Sequence, residues 1–334
     1  MIDVLSIGDT SHNVFLEMTD DTVTLHTEKR PAVTQICFTY ADKIPVHAFH
    51  DTIGGNSANA AVAFARLGFK TAFYTHVGND DQGERIIKTL KKDNVSTDYV
   101  IVDKDKGSNF STVINLHAER TILVYHEHRN YALPKMEAAK WIYMSSMSVG
   151  FEAALPEIID YVKEYKVNLC YQPGTFQLQY GAKKTQKLLE QTKIFFVNKE
   201  EAELYLGVSK TDNFRTLLDG ILELGVEIAV VTDGPAGAYV SDGREYLYLG
   251  IIKEAPRIEA TGAGDSFSSA FAAGIASGAS LSEALRWGQC ESSSVIQKIG
   301  PQEGLVFRKQ LDTLLKDNPN LQPVPINSHG QPTK

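Results

Sequence analysis

The sequence predicts an α/β fold with a mostly parallel central sheet and a second, small sheet beside it. From residue 139 on, short apolar runs alternate with stretches of helical character: 141–144, 153–165, 167–171, 182–191 and 194–197. That rhythm builds right-handed βαβ units, and hence parallel strands. Two other patches, 14–50 and 109–125, alternate apolar with polar residues (Val33, Ile36, Phe38, Tyr40 and Val46 in the first) and read as short strands of one projecting sheet. The chain has 334 residues, 43% hydrophobic and 22% charged, with no visible linker or repeat, which suits one large core.

In chain order, residues 2–8 form a buried strand, and Asp9 to Asn13 follow at its carboxyl end, where open parallel sheets bind ligands. Gly54 and Gly55 permit close backbone approach and open a small-residue helix ending at Gly68, with Asn59 in its first turn. A strand over 71–77, a turn from Gly78 to Gly83 and a helix to about residue 92 come next, with Asp80 and Asp81 as an acidic helix start. Gln172-Pro173-Gly174-Thr175 is a loop at a strand end and takes no assigned role. Asn198 with Glu201 after the 194–197 strand is a capping-box spacing. A buried strand over 226–231 runs into Thr232, Gly234, Pro235 and Gly237, a turn with room for a ligand. Residues 281–298 form an amphipathic helix, and 317–334, rich in Pro, Asn and Gln, reads as a flexible tail.

The chemistry concentrates in Glu259-Ala260-Thr261-Gly262-Ala263-Gly264-Asp265. Pro256 stops a helix from running through, and Phe267, Ala270, Phe271, Gly274 and Ile275 start one with an apolar face. Free amides at a helix N-terminus beside two glycines form an anion hole, and a phosphoryl group is the obvious anion. A carboxylate there repels the anion unless it contacts another atom, and in phosphoryl transfer that atom is the attacking hydroxyl. A helix terminus lowers a carboxylate's pKa, so Asp265 is expected to be a weak base.

This string resembles the second signature of the ribokinase-like (PfkB) carbohydrate kinases. Gly54-Gly55, Asn59, Arg66-Leu67-Gly68 and the 77–83 stretch resemble the first. The resemblance covers roughly 1–316, and implies a ribokinase-like central sheet with helices on both faces and a β-sheet lid drawn from about 14–50 and 109–125. It implies Asp265 as catalytic base with Gly262, Ala263 and Gly264 as anion hole, and Asp9, Asn13, Gly54, Gly55 and Asn59 on the sugar. Asn198, Thr232, Gly234 and Gly237 would meet ATP. Glu201 with Asn198 would bind magnesium, directly or through water. Asn13 stands where the family carries an acid, and Glu259-Ala260 where it carries Asp-Thr, which leaves dependence on a monovalent cation open.

The activity implied is ATP-dependent phosphorylation of a hydroxyl of a small sugar or sugar acid, with a nucleoside or a phosphosugar as alternatives. A phosphosugar needs converging cations, for which Lys29, Arg30, Lys43, Arg120 and Arg129 are candidates, and a nucleoside needs an aromatic slot, for which Phe15, Phe38, Tyr40 and Tyr125 are. A silent sensor on the same fold would have lost the base, and a dinucleotide dehydrogenase would carry a glycine-rich turn after the first strand, absent from Gly8-Asp9-Thr10-Ser11-His12-Asn13. Net charge −8 and a pI near 5.6 disfavour nucleic acid and anionic membranes. Scattered Cys37, Cys170 and Cys290, with no leader or spanning segment, suggest the cytoplasm. The lid strands, with uncovered edges, suggest a homodimer.

Overall fold

The computed structural model describes residues 1–29, 32–117, 119–253 and 256–333. The chain enters through β1 (Ile2–Ile7) and leaves at once for β2 (Ser11–Glu17), the hairpin β3 (Thr24–Lys29) and β4 (Ala32–Cys37), and β5 (Ala48–Gly54). It returns through α1 (Asn56–Arg66), β6 (Thr71–Gly78), α2 (Asp81–Lys92) and β7 (Val100–Asp103), then departs again for β8 (Phe110–Leu116) and β9 (Glu119–Tyr125). The βα rhythm follows: β10 (Ala139–Met144), α3 (Leu155–Tyr165), β11 (Asn168–Tyr171), α4 (Thr175–Tyr180), α5 (Ala182–Leu189), β12 (Thr192–Asn198), α6 (Lys199–Leu206), α7 (Phe214–Glu223) and β13 (Ile228–Thr232). The chain closes with β14 (Ala238–Ser241), β15 (Tyr246–Leu249), α8 (Ala263–Ala276), α9 (Leu281–Val295), α10 (Arg308–Asp317) and β16 (Val324–Pro325).

One ten-stranded sheet has the order β16-β15-β14-β13-β12-β11-β10-β1-β6-β7. From β7 to β13 every pairing is parallel, and β14 to β16 add an antiparallel margin. Strand side chains alternate between faces, and here both faces are apolar, as a sheet covered on both sides requires. Leu5, Ile7, Phe195, Val197, Ala229 and Val231 pack towards α3, α5, α6 and α7. Val4, Ile194, Phe196, Ile228 and Val230 pack towards α1, α8 and α9. The α/β expectation with helices on both faces is met, and the structure adds the antiparallel margin.

The second sheet has the order β5-β2-β8-β9 and is mixed, because β2 and β8 run parallel. It draws on the two patches singled out in the sequence, whereas β3 and β4 pair only with each other among the described residues. Its two excursions leave the main sheet at the carboxyl ends of β1 and β7, so the small sheet overhangs the ligand edge of the large one.

The C-terminal stretch departs from expectation. Instead of a flexible tail, Val324 and Pro325 pair with β15, Ile326 N–H donates to Tyr246 O at 3.0 Å, and the Ile326 side chain is buried. Its low apolar content hid the anchor, because one isoleucine at a sheet edge leaves no periodic pattern. Ile326→Ala is expected to cost about 2–4 kcal/mol, read as a lower urea midpoint. A midpoint equal to the unmodified protein's would mean that the tail adds nothing.

Candidate active site

The carboxyl ends of the parallel strands and the lid enclose a cavity of about 970 Å³. Asp9, Met147, Gln172, Asn198 and Thr232 reach it from the turns or ends after β1, β10, β11, β12 and β13. Ser111, Val113, Arg120, Ile122 and Val124 reach it from the lid. Two residues per step along β9 carry Arg120, Ile122 and Val124 to the same face, which is why alternate residues of an otherwise exposed strand line the cavity.

Gly262 to Asp265 form the first turn of α8 and line this cavity. Gly262 has φ +82°, and a Cβ there would lie 2.6 Å from Pro301 Cβ, so this turn demands glycine. A Cβ on Gly264 would meet nothing within 4 Å, which shows how open the space before it is. Ala263 N–H donates to Ala260 O at 3.2 Å, whereas the amides of Gly262, Gly264 and Asp265 have no acceptor among the described residues. The available donors are therefore the amides flanking Ala263, a correction to the expectation that Ala263 supplies one.

Asp265 is buried behind these amides. Its Oδ2 accepts from Asn59 Nδ2 at 2.8 Å and its Oδ1 from Gln172 Nε2 at 3.1 Å. Desolvation raises its pKa above the usual carboxylate value, against opposing effects of Asn59, Gln172 and the positive charge of Arg120. The rise runs against the depression expected from helix position alone, because burial disfavours the charged form.

The small-residue character of α1 lets it lie buried between the sheet and α8, and this brings Asn59 to Asp265. Asn59 Oδ1 accepts from Gln302 Nε2 at 3.0 Å, so both ends of its carboxamide are engaged within the protein. Gly55, at φ +97°, lines the cavity, and a Cβ there would strike Asp9 O at 2.5 Å. Gly54 does not line it. A Cβ on Gly54 would lie 2.1 Å from Asn13 Nδ2, so its part is to make room for Asn13, and the expected contact with substrate is corrected accordingly.

Asn13 lines the cavity and accepts from Ser11 Oγ at 2.7 Å through Oδ1. Asp9 is buried, with Tyr131 Oη donating to Oδ1 at 2.7 Å and Ser148 N–H to Oδ2 at 2.9 Å. Burial raises its pKa, and both bonds oppose the rise. His126 Nδ1 stands 3.9 Å from Asp9 Oδ2.

At the other end, Asn198 and Thr232 are register partners on β12 and β13, with Gly234 and Gly237 in the following turn. All four line the cavity. Asn198 caps α6: its Oδ1 accepts from Glu201 N–H and Glu201 Oε2 accepts from Asn198 N–H, each at 2.8 Å. The capping box exists, and Glu201 Oε1 has no partner among the described residues. Burial raises the Glu201 pKa, and the charge of Asp265 raises it further. No group of three or more His, Cys, Asp or Glu that could hold a metal is found among the described residues.

Glu259 is buried. Its Oε1 accepts from Thr261 N–H at 2.6 Å, and its Oε2 has no partner among the described residues.

The cations weighed for a phosphosugar do not converge. Arg120 lines the cavity, Arg129 is buried against Asp103, Lys43 is exposed outside the cavity, Lys29 lies on the β3 hairpin, and Arg30 lies outside the described residues. The aromatics weighed for a nucleoside base do not gather either: Phe15 is buried, and Phe38, Tyr40 and Tyr125 are exposed away from the cavity. Sequence reasoning missed Gln172, Gln302, Tyr131 and His126, which carry no motif of their own.

The sequence profile of the pfkB family carbohydrate kinases matches residues 27–307. The chain belongs to the pfkB family. Among curated relatives of this kinase are the ATP-dependent 6-phosphofructokinase of Thermoanaerobacterium thermosaccharolyticum, 26% identical over 84% of this chain and 89% of the relative, and the ribokinase of Mus musculus, 27% identical over 80% and 86%. The solved structure of Arabidopsis thaliana ribokinase with ribose and ATP aligns with TM-score 0.76 at 21% identity, covering 94% of this chain and 99% of that one. The fold of this pfkB kinase is thus the ribokinase fold, and its reaction class is phosphoryl transfer to an alcohol.

Proposed function

We propose that this kinase uses ATP to phosphorylate a hydroxyl of a small free sugar or sugar acid, with Asp265 as general base. The observation that carries this reading is Asp265 itself. It is buried beside the open amides of the α8 N-terminus, at the junction of the cavity's two ends. Each carboxylate oxygen holds one donor and keeps a lone pair for the substrate hydroxyl. As the phosphoryl group moves, that oxygen takes the hydroxyl proton, and the amides of Gly262, Gly264 and Asp265 receive the charge on the phosphoryl oxygens. The raised pKa makes Asp265 a better proton acceptor than an exposed aspartate.

The substrate-side groups Asp9, Asn13 and Gly55 suit a polyhydroxylated ligand, with Asn59 acting on Asp265. The cations lining the cavity come from separate elements, Arg120 from the lid and Lys253 and Arg257 from the segment before α8, and its aromatic pair, His126 with Phe176, stands edge to face at 6.1 Å rather than as parallel faces that would stack a nucleobase. Asn198, Thr232, Gly234 and Gly237 would meet the nucleotide. The donor set fits magnesium: one carboxylate, Glu201, with a free oxygen and a burial-raised pKa that a cation would offset, suits an ion that keeps its waters and rides on phosphates. When bound it neutralises the donor. Glu259 Oε2 offers a monovalent cation an anionic oxygen in the segment leading to the anion hole. We place the protein in the cytoplasm, on its free cysteines and its ATP chemistry, and net charge −8 argues against nucleic-acid partners. No helix among the described residues is long and apolar enough to cross a membrane.

We also propose a homodimer through the lid. The lid face turned away from the cavity exposes Phe49, Phe110, Leu123 and Tyr125, an apolar surface that a second copy would cover.

Asp265→Asn is expected to keep the fold and nucleotide binding and to lower turnover by about two to four powers of ten, measured as ADP release across a panel of sugars, sugar acids, phosphosugars and nucleosides. Turnover within about tenfold of the unmodified enzyme would sink the base assignment, and a nucleoside preferred by about a hundredfold in kcat/KM would sink the substrate assignment. Glu201→Gln preserves the cap acceptor, so it is expected to shift the magnesium titration to higher concentration while leaving the melting temperature in place; a changed melting temperature with an unchanged titration would leave only the cap. Light scattering at micromolar protein is expected to give a dimer, and Leu123→Asp a monomer. A monomeric unmodified protein refutes the lid interface.

A further inference from the structure

The immediate surroundings of Asp265 contain more order than a general base needs for contact alone. An ionised carboxylate only accepts hydrogen bonds, so the two carboxamides against it must turn their NH2 groups inward and their carbonyls outward. Each outward carbonyl meets a further donor. Tyr143 Oη donates to Gln172 Oε1 at 2.5 Å, and Gln302 Nε2 donates to Asn59 Oδ1 at 3.0 Å. The result is a directed chain, Tyr143 to Gln172 to Asp265 from one side and Gln302 to Asn59 to Asp265 from the other.

The outer ends are anchored independently. Tyr143 is wholly buried in β10, edge-on to Phe64 of α1. Gln302 is buried in the loop after Pro301, and Arg66 NH1 donates to its main-chain carbonyl at 2.8 Å and to that of Leu305 at 2.9 Å. Arg66 is itself fixed by Asp93 at 2.7 Å.

We propose that Gln172 and Gln302 are positioning residues for the phosphoryl-transfer base, Gln172 directly and Gln302 through Asn59, with Tyr143 preventing the Gln172 amide from turning its carbonyl to the carboxylate. The proposal rests on the reading of Asp265 as the base. It goes beyond packing because it fixes charge as well as direction: each NH2 favours the anionic carboxylate, which burial otherwise disfavours. The charged or titratable groups facing Asp265 are Arg120 from β9, Glu201 from α6 and, behind Gln172, Tyr143 from β10. Substitution of Gln172 or Gln302 changes none of them.

The test compares Gln172→Leu, Gln302→Leu and Tyr143→Phe with the unmodified enzyme, recording kcat, KM and the acid limb of kcat/KM against pH, with ATP, magnesium and the best sugar of the panel. Loss of a donor raises the base's pKa, so the acid limb moves to higher pH. Gln172→Leu is expected to shift it up by about one pH unit and to lower kcat about tenfold, with a smaller change in KM. Gln302→Leu and Tyr143→Phe are expected to move it the same way by about half as much. A folded Gln172→Leu enzyme whose acid limb and kcat stay in place overturns the proposal. Should that variant not fold, Tyr143→Phe, which removes a single hydroxyl, carries the same expectation and the same refutation. Asp265→Asn run alongside separates the two levels: if it retains turnover, the base reading fails and the proposal with it, whereas lost turnover with an unmoved limb in the glutamine variants defeats the positioning role alone.

Discussion

A carboxylate buried without an ion pair is the constraint on which this structure turns. Taking a charge out of water costs several kcal/mol unless polar groups replace the lost solvent. Around Asp265 the replacement is made by neutral amides, which stabilise the charge without quenching its basicity as a bound arginine would. Those amides come from α1 and from the loop after β11, with the loop before α10 holding the α1 amide through Gln302, so the surroundings of Asp265 are complete only when all of these are docked. The apolar packing of α1 between the sheet and α8 therefore has a chemical consequence as well as a stabilising one.

The same site shows two parts of the molecule with different duties. The parallel sheet and α8 supply Asp265, the open amides of the α8 N-terminus, Asn198 and Thr232 through turns at strand ends, where backbone position is set by a deep core on both faces. The lid supplies one wall, through alternate residues of β8 and β9 and through Asn13 on β2. Its side chains meet the cavity on one face and solvent on the other, so its sequence answers to two demands at once. That explains the consecutive apolar residues Ile122 to Tyr125 of β9, which do not end in burial.

Much of this was legible in the sequence because it is local. The βα rhythm from residue 139, the glycines before α1, the capping box of Asn198 with Glu201 and the turn at Gly262 to Asp265 each depend on neighbours a few residues apart. Gln172 and Gln302 were not legible, since a glutamine's partner is decided by which strands and loops are brought together. Gly54 was misread for the same reason: the residue it accommodates, Asn13, lies on β2 two residues beyond its cross-strand partner Ser11 and far from it in sequence. The pKa of Asp265 was misjudged because helix position is visible in a sequence and burial is not. The tail was misjudged because its anchor, Ile326, is a single residue.

The hydrogen-bonded series Asp265, Asn59 and Gln302 spans most of the chain. Asn59 and Asp265 are 206 positions apart, and Asn59 and Gln302 are 243 apart. Contacts of such separation close large loops, which slows their formation relative to local structure and ties them to the completion of the fold. During synthesis the N-terminal strands and α1 can gather long before Gln302 has emerged, yet the full set of contacts around Asp265 and Asn59 cannot. A chain that stops short of Gln302 can thus assemble the N-terminal half of the cavity wall, but the hydrogen-bonded surroundings of Asp265 are completed only with the last tenth of the polypeptide.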